Sequence, residues 1–412
     1  MSFVFINDSK EYDVGLTSII EEVIPFDDNY IAFIFRSKEY QIWEIRTDKL
    51  IRSGRLKQDV RLIRLLNEEE ILYLTIQGEM GVLNAFSDSN VWKFQVKLPT
   101  FATIVASQQL NESFPDATMS GQMLIASANV VVSRKHQLIC LSEIVNVGFA
   151  STKQIFTIFN HRSGPSPIAA ALVEEKDQMK ASFVNENFVV LWSQMMFNKK
   201  TPKQNYYIIW DLQKNTQREV TIQEPKNDDD APQCSSVISF QPIEGDTRAL
   251  SFENTNSYPR VKIINIENGK VLVQRILEQY GKTSIISDAV FFCQNDEKLN
   301  RDFNVLYLDM EGEDSTRIES YNLSKSLKYI KKSGELKKKE ATYYSIAPKG
   351  NYIISVNTQD EKERKNSGST NVKIVVHRAF HSKIIALHYL KSTNLGQQVN
   401  EYVLKAIISF LP

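Results

Sequence analysis

The sequence is short of the features that most often announce a chemistry. Its 412 residues include only three cysteines, Cys140, Cys234 and Cys293, far apart. An odd, sparse set is a poor disulfide framework and has no metal-site spacing, so the expectation is small core residues in a reducing compartment. Net charge is also missing: 49 Lys and Arg balance 49 Asp and Glu. No global field draws the chain to nucleic acid or acidic lipid, and electrostatic recognition must come from local patches. No uninterrupted apolar run exceeds six residues, against roughly 20 for a membrane helix. The amino terminus, MSFVFINDSKEYD, lacks the basic segment and apolar stretch of a secretory signal. A cytoplasmic protein without a transmembrane segment is expected, with cytoskeletal, ciliary or nuclear association left open.

Catalytic signatures are absent too. No GxSxG, HExxH, GxxxxGK[ST] or GxGxxG occurs, so a nucleophile elbow, zincin, P-loop and dinucleotide fold lack their minimum parts. The histidines number five: His136, His161, His377, His381 and His388. His377 and His381 have the i, i+4 spacing of a helical zinc pair, but they flank a predicted β-turn in RAFHSK with no acidic ligand nearby. They read as incidental. The expectation is a non-enzyme with no catalytic, metal or cofactor residues.

What the sequence does have is a repeat. QNYYIIWDLQKNTQREVTI (204–222) is an apolar strand, a polar turn and a second strand, and similar units recur. They are YQIWEIRTDKLIRSGRL (40–56), RVKIINIENGKVLVQRIL (260–277), TRIESYNLSKSLKYI (316–330) and NVKIVVHRAFHSKIIALHYL (371–390). Apolar positions alternate and β-branched and aromatic residues dominate, so the units are β and not helical. Turns such as Glu267-Asn268-Gly269 suit hairpins because Asn and Gly tolerate positive φ. Each hairpin follows two more strand-like runs, as IIEEVIPF and NYIAFIF precede YQIWEI. Four strands per repeated unit is the sequence sign of a propeller blade. Third-strand markers fall at Trp43, Leu83, Ile139, Trp210, Ile264, Glu319 and Ile374. The reading is an all-β, single seven-bladed β-propeller of four-stranded antiparallel blades over 1–390. Two smaller propellers or a β-sandwich array are the alternatives. The tail, 391–412, spaces Val399, Tyr402/Val403, Ala406/Ile407 and Phe410/Leu411 as one helical face, a docking helix or a packed element.

On these residues the chain resembles the WD-repeat β-propeller family, in degenerate form. Trp210-Asp211 supplies the one literal Trp-Asp pair and Trp43-Glu44 a near copy; no Gly-His dipeptide occurs. The aspartate that the family carries between second and third strands is also mostly missing, so the blades are expected to hold together mainly by apolar inter-blade packing. In the family an amino-terminal strand often completes the last blade, and SFVFI (2–6) is a candidate, as is KIIALHYL within the last unit. SDSNVW (87–92) shares residue types with the Asp-box of sialidase propellers, but the spacing of Ser, Asp and Trp does not fit.

Three charged segments stand out. KSLKYIKKSGELKKK (325–339) holds seven lysines and one glutamate and reads as a basic loop between the sixth and seventh units. EPKNDDDAPQ (224–233) is acidic, and NTQDEKERKNSGST (357–370) is of mixed charge. The resemblance implies that all three emerge on one rim. The candidate partner-binding residues are Lys328, Lys331, Lys332, Lys337, Lys338, Lys339, Asp228, Asp229 and Asp230. The expected role is a protein–protein interaction scaffold within a larger complex. The alternative is an RNA- or acidic-phospholipid-binding propeller using the basic loop, for which only Tyr329 offers stacking and no arginine offers bidentate phosphate recognition.

Overall fold

The computed structural model of the chain describes residues 3–13, 20–25, 30–95, 125–277, 286–296, 301–310, 315–322, 328–337, 343–346, 352–358 and 371–381, except 45–46, 57–59, 67–68, 76–78, 88, 134–135, 148–150, 162–166, 174–177, 194–205, 224–235, 244–246 and 256–257; side chains are described only within 20–277. Every regular element among the described residues is a β-strand.

The first strand, β1 (Phe3–Asp13), is set apart from its sequence neighbours. Sheet 1 then holds β2 (Ile20–Pro25), β3 (Tyr30–Phe35), β4 (Glu39–Glu44) and β5 (Lys49–Arg55). Sheet 2 holds β6 (Val60–Leu65), β7 (Glu70–Thr75), β8 (Glu79–Asn84) and β9 (Ser89–Gln95). Sheet 3 is β10 (Ile125–Ser133), β11 (Leu138–Val147), β12 (Ser151–Asn160) and β13 (Pro167–Val173). Sheet 4 is β14 (Met179–Phe183), β15 (Phe188–Ser193), β16 (Tyr206–Asp211) and β17 (Thr216–Thr221). Sheet 5 is β18 (Ser236–Pro242), β19 (Arg248–Asn254), β20 (Arg260–Asn265) and β21 (Val271–Ile276). Sheet 6 is β22 (Ile286–Asp296), β23 (Arg301–Met310), β24 (Ser315–Asn322) and β25 (Lys328–Lys337). Sheet 7 orders β26 (Tyr343–Ile346), β27 (Tyr352–Thr358) and β28 (Asn371–His381) beside β1.

The described residues are thus all-β, in four-stranded sheets. Each of the seven sequence markers falls in a different sheet, six of them on the third strand. Ile139 lies on β11, the second strand of its sheet, because LICL follows a polar turn and mimics the start of a third strand. Sheet 7 takes its outer strand from the other end of the sequence. β1 pairs antiparallel with β28 from Phe3↔His381 to Asp13↔Asn371. β28 also pairs with β27, so both its edges are occupied. KIIALHYL lies outside the described residues, as does the 391–412 tail.

Two compact units divide the chain, one of Met1–Arg36, Trp43–Leu50 and Ser287–Pro412, the other of Ser37–Ile42 and Ile51–Ile286. Within the second unit, sheets 2 to 5 pack in sequence order. Leu72, Leu74, Met80 and Val82 of sheet 2 meet Val130, Ile139, Leu141 and Phe159 of sheet 3. The other face of sheet 3, with Leu138, Cys140, Phe156 and Ile158, meets Val189, Leu191, Ile208 and Trp210 of sheet 4. The remaining face of sheet 4 carries Val190, Trp192, Tyr207 and Ile209 against Phe240, Ala249 and Ile264 of sheet 5. The strand period of two explains this division: successive residues of β16 serve alternate neighbours. Burying one such large side chain contributes roughly 1.5–3 kcal/mol. Polar ties cross the same joints. Gln154 Nε2 donates to Met179 O at 2.8 Å, and Met179 N donates to Gln154 Oε1 at 2.8 Å. Ser182 Oγ donates to Phe240 O at 3.1 Å.

The recurrent hairpin has a shared turn. A polar residue ends the third strand and accepts two turn amides: Asn84 Oδ1 from Phe86 N and Ser87 N, Asp211 Oδ1 from Gln213 N and Lys214 N, Asn265 Oδ1 from Glu267 N and Asn268 N. Glu44 holds the same place in sheet 1, accepting from the Thr47 hydroxyl. Four residues on, the chain reaches positive φ at Asp48 (56°), Asn215 (51°) and Gly269 (74°). Asn, Asp and Gly are the residues that tolerate this conformation. In Trp210-Asp211 the aspartate fastens the turn, while the buried tryptophan donates Nε1–H to Asn215 Oδ1 at 3.1 Å.

Candidate functional site

Of the predicted partner-binding residues, four lie together on one element. Lys328, Lys331, Lys332 and Lys337 belong to β25, at the end of the strand order of sheet 6. This corrects the expectation of a basic loop over 325–339: Lys328–Lys337 is a strand. Tyr329, Ile330 and Leu336 give the segment strand character despite its charge. Its pairing with β24 sets Lys328 opposite Asn322, Lys331 opposite Ser320, Lys332 opposite Glu319 and Lys337 opposite Ser315. The register shifts twice, each time leaving one additional residue on β25, Ile330 and then Ser333. Lysines and bulges on a terminal strand discourage further strand pairing. The four lysines are thus distributed along one strand of ten residues, roughly 30 Å from end to end. Each lysine near an anionic surface contributes on the order of 1 kcal/mol at low salt, less when screened. Lys338, Lys339 and Asp228–Asp230 lie outside the described residues, as does most of 357–370.

The histidine expectation also needs correction. His377 and His381 do not flank a turn; both are on β28. Four strand steps separate them by roughly 13 Å, against about 5–6 Å for that spacing on a helix.

Sequence reasoning missed a buried polar row. Register anchors sheets 2 to 5 identically, with Glu70↔Asn84, Leu138↔Asn160, Phe188↔Asp211 and Arg248↔Asn265. Five residues along each second strand come Thr75, Glu143, Ser193 and Glu253, exposed by 1%, 0%, 5% and 0%. Sheet 5 carries this furthest. Lys262 Nζ contacts Glu253 Oε2 at 2.5 Å, and Ser251 Oγ donates to Glu253 Oε1 at 3.2 Å, all three side chains buried. Arg260 stands opposite Glu253 and Gln274 opposite Lys262. The signal was available in ILYLT, LICLSE, VVLWS and ALSFE, where a polar residue recurs at a fixed offset.

These groups are enclosed. Burial pushes the Cys140 thiol far above its ordinary value, which leaves it a small core residue. Burial also raises the Tyr207 hydroxyl, partly opposed by Arg218 and a backbone hydrogen bond from Gly269. That hydroxyl donates across the joint to Ile266 O at 2.7 Å. Among the described residues no cluster of His, Cys, Asp or Glu is arranged to hold a metal ion, and no helix is long and apolar enough to cross a membrane. Compared with known proteins, the chain matches no family model, and no curated protein matches it.

Proposed function

We propose that the sheets are the blades of a single seven-bladed propeller of degenerate WD-repeat type, and that the protein is a non-enzymatic scaffold in a larger intracellular assembly. It takes an acidic surface of a protein partner on the lysines of β25. The observation that carries this reading is the row Lys328, Lys331, Lys332 and Lys337 on one terminal strand. The four-stranded sheets, one per sequence unit, support the propeller. Strand-mounted cations lose less freedom on binding than cations on an unstructured loop, which favours a defined partner.

The test compares proteins that co-purify with the wild type and with a variant carrying serine at Lys331, Lys332, Lys337, Lys338 and Lys339. A defined set of proteins lost from the variant is expected, and an unchanged set overturns the reading. Salt separates the alternative: binding of RNA or acidic phospholipid vesicles weakens steeply and in proportion to the charges engaged, and recovery of RNA or lipid in place of proteins assigns the strand to a polyanion.

A further inference from the structure

The turn between β20 and β21 holds the one Asn-Gly pair of the chain, Asn268-Gly269. An asparagine before glycine is chemically exposed, because glycine has no side chain to hinder its own backbone nitrogen. That nitrogen, after losing its proton to a solvent base, adds to Asn268 Cγ. The new C–N bond closes a five-membered succinimide, and the side-chain nitrogen departs with a proton as ammonia. Water then opens the ring at either carbonyl, giving aspartate or isoaspartate. The net change is amide plus water to carboxylate plus ammonia, with no oxidation or reduction.

The structure both prepares and locks this step. Lys270 N donates to Asn268 Oδ1 at 2.9 Å, which turns the side chain toward the peptide that follows, the direction ring closure requires. The attacking group is withheld, since Gly269 N donates to Asn265 O at 2.9 Å. The turn is also clasped from sheet 4. Gln223 N donates to Gly269 O at 2.9 Å, Gln223 Nε2 donates to Asn268 O at 3.1 Å, and Gln223 bridges to Lys270. Gly269 lies so near Thr221 O that a Cβ would come within 2.1 Å of it. Asn268 itself is exposed.

We propose that Asn268 is a guarded deamidation site, whose conversion to aspartate or isoaspartate is held off by the Gln223 clasp and proceeds when the turn opens. The product matters beyond the turn. Isoaspartate lengthens the main chain by one carbon, which the bridge at Gln223 does not fit, and the acidic segment 224–233 begins at the next residue. Deamidation therefore adds a negative charge and loosens the point from which that segment leaves sheet 4.

The test follows ammonia loss at Asn268 by peptide mass spectrometry after incubation at mildly alkaline pH. Three samples are compared: folded wild type, urea-unfolded wild type and folded Gln223→Met. The substitution keeps side-chain length and the main-chain bond but removes the donor to Asn268 O. Conversion several-fold slower in the folded wild type than in the unfolded chain is expected, with Gln223→Met between them. Equal rates in folded and unfolded wild type overturn the guard, and no conversion in the unfolded chain overturns the site. Amide hydrogen exchange at Gly269 in the wild type gives a second reading independent of the variant's folding. Protection is expected, and exchange as fast as in the unfolded chain sinks the proposal.

Discussion

Sheets 4 and 5 share the register of their second and third strands and differ in what that register carries. Phe188↔Asp211 in one matches Arg248↔Asn265 in the other, and every pair between follows. At the third step sheet 4 pairs Leu191 with Ile208, both in the apolar joint with sheet 3. Sheet 5 pairs Ser251 with Lys262 at that step, and Glu253 closes the cluster two residues on, where sheet 4 has Ser193. The place of an aliphatic pair in sheet 4 is thus taken in sheet 5 by a polar pair whose lysine is neutralised by Glu253. The lesson is that register is set by the hairpin turn and strand alternation, which the two sheets share, while the slot accepts any filling that is either apolar or internally satisfied.

The largest way to break this comparison is to leave the sheet 5 slot half filled. Glu253→Gln removes the buried anion that the Lys262 ammonium contacts, and should lower unfolding free energy by about 3–5 kcal/mol. A drop in urea midpoint with unchanged slope is the expected readout. Installing the sheet 4 residues together, as Ser251→Leu, Glu253→Ser and Lys262→Ile, should instead be neutral or stabilising by about 1–4 kcal/mol. If the triple variant falls as far as the single one, the slots are not equivalent and the comparison fails.

A smaller effect separates the two turns. Asn215 and Gly269 hold the same place at positive φ, but Asn215 already carries a Cβ, whereas one added at Gly269 would meet the carbonyl of Thr221. Gly269→Ala combines backbone strain with that collision and should cost about 1–3 kcal/mol, whereas Asn215→Ala carries the φ penalty and the loss of its bond to Trp210 Nε1, about 1–2 kcal/mol. Thermal unfolding of the two variants, side by side, tests the ranking.

Much of this architecture was legible in the sequence because turns and alternation are local. Asp211 and Asn265 stand where a polar residue must fasten a turn, and Tyr207 to Trp210 alternates between two buried faces. The pairing of β1 with β28 was one of two readings, since SFVFI and KIIALHYL are both plausible strands and nothing local chooses between them. The lysines were recognised, but their density was read as a solvated loop. Tyr329, Ile330 and Leu336 are spaced irregularly, and the two bulges that explain the spacing arise only from pairing with β24. Glu253 and Lys262 were invisible as a pair because they sit on different strands, and an isolated buried charge is not what a charged residue in a sequence suggests.

The smallest prediction turns on the joint between the two sheets. Tyr207, from sheet 4, gives its hydroxyl to the backbone of sheet 5 at Ile266. Burial raises its pKa above the ordinary tyrosine value of 10.0. Below that value folded and unfolded chains both keep the proton. As pH rises past it the unfolded chain releases the proton while the enclosed hydroxyl retains it, so the unfolded state gains and stability falls. Tyr207→Phe removes this contribution together with the hydrogen bond, at a cost of about 0.5–1.5 kcal/mol at neutral pH. The difference in urea midpoint between wild type and variant should therefore shrink as pH climbs above 10.0. Exposed tyrosines titrate alike in both states and cancel in that difference. A gap that stays constant or widens would mean that the hydroxyl is free to ionise in place, and that the polar tie between the sheets is not closed to solvent.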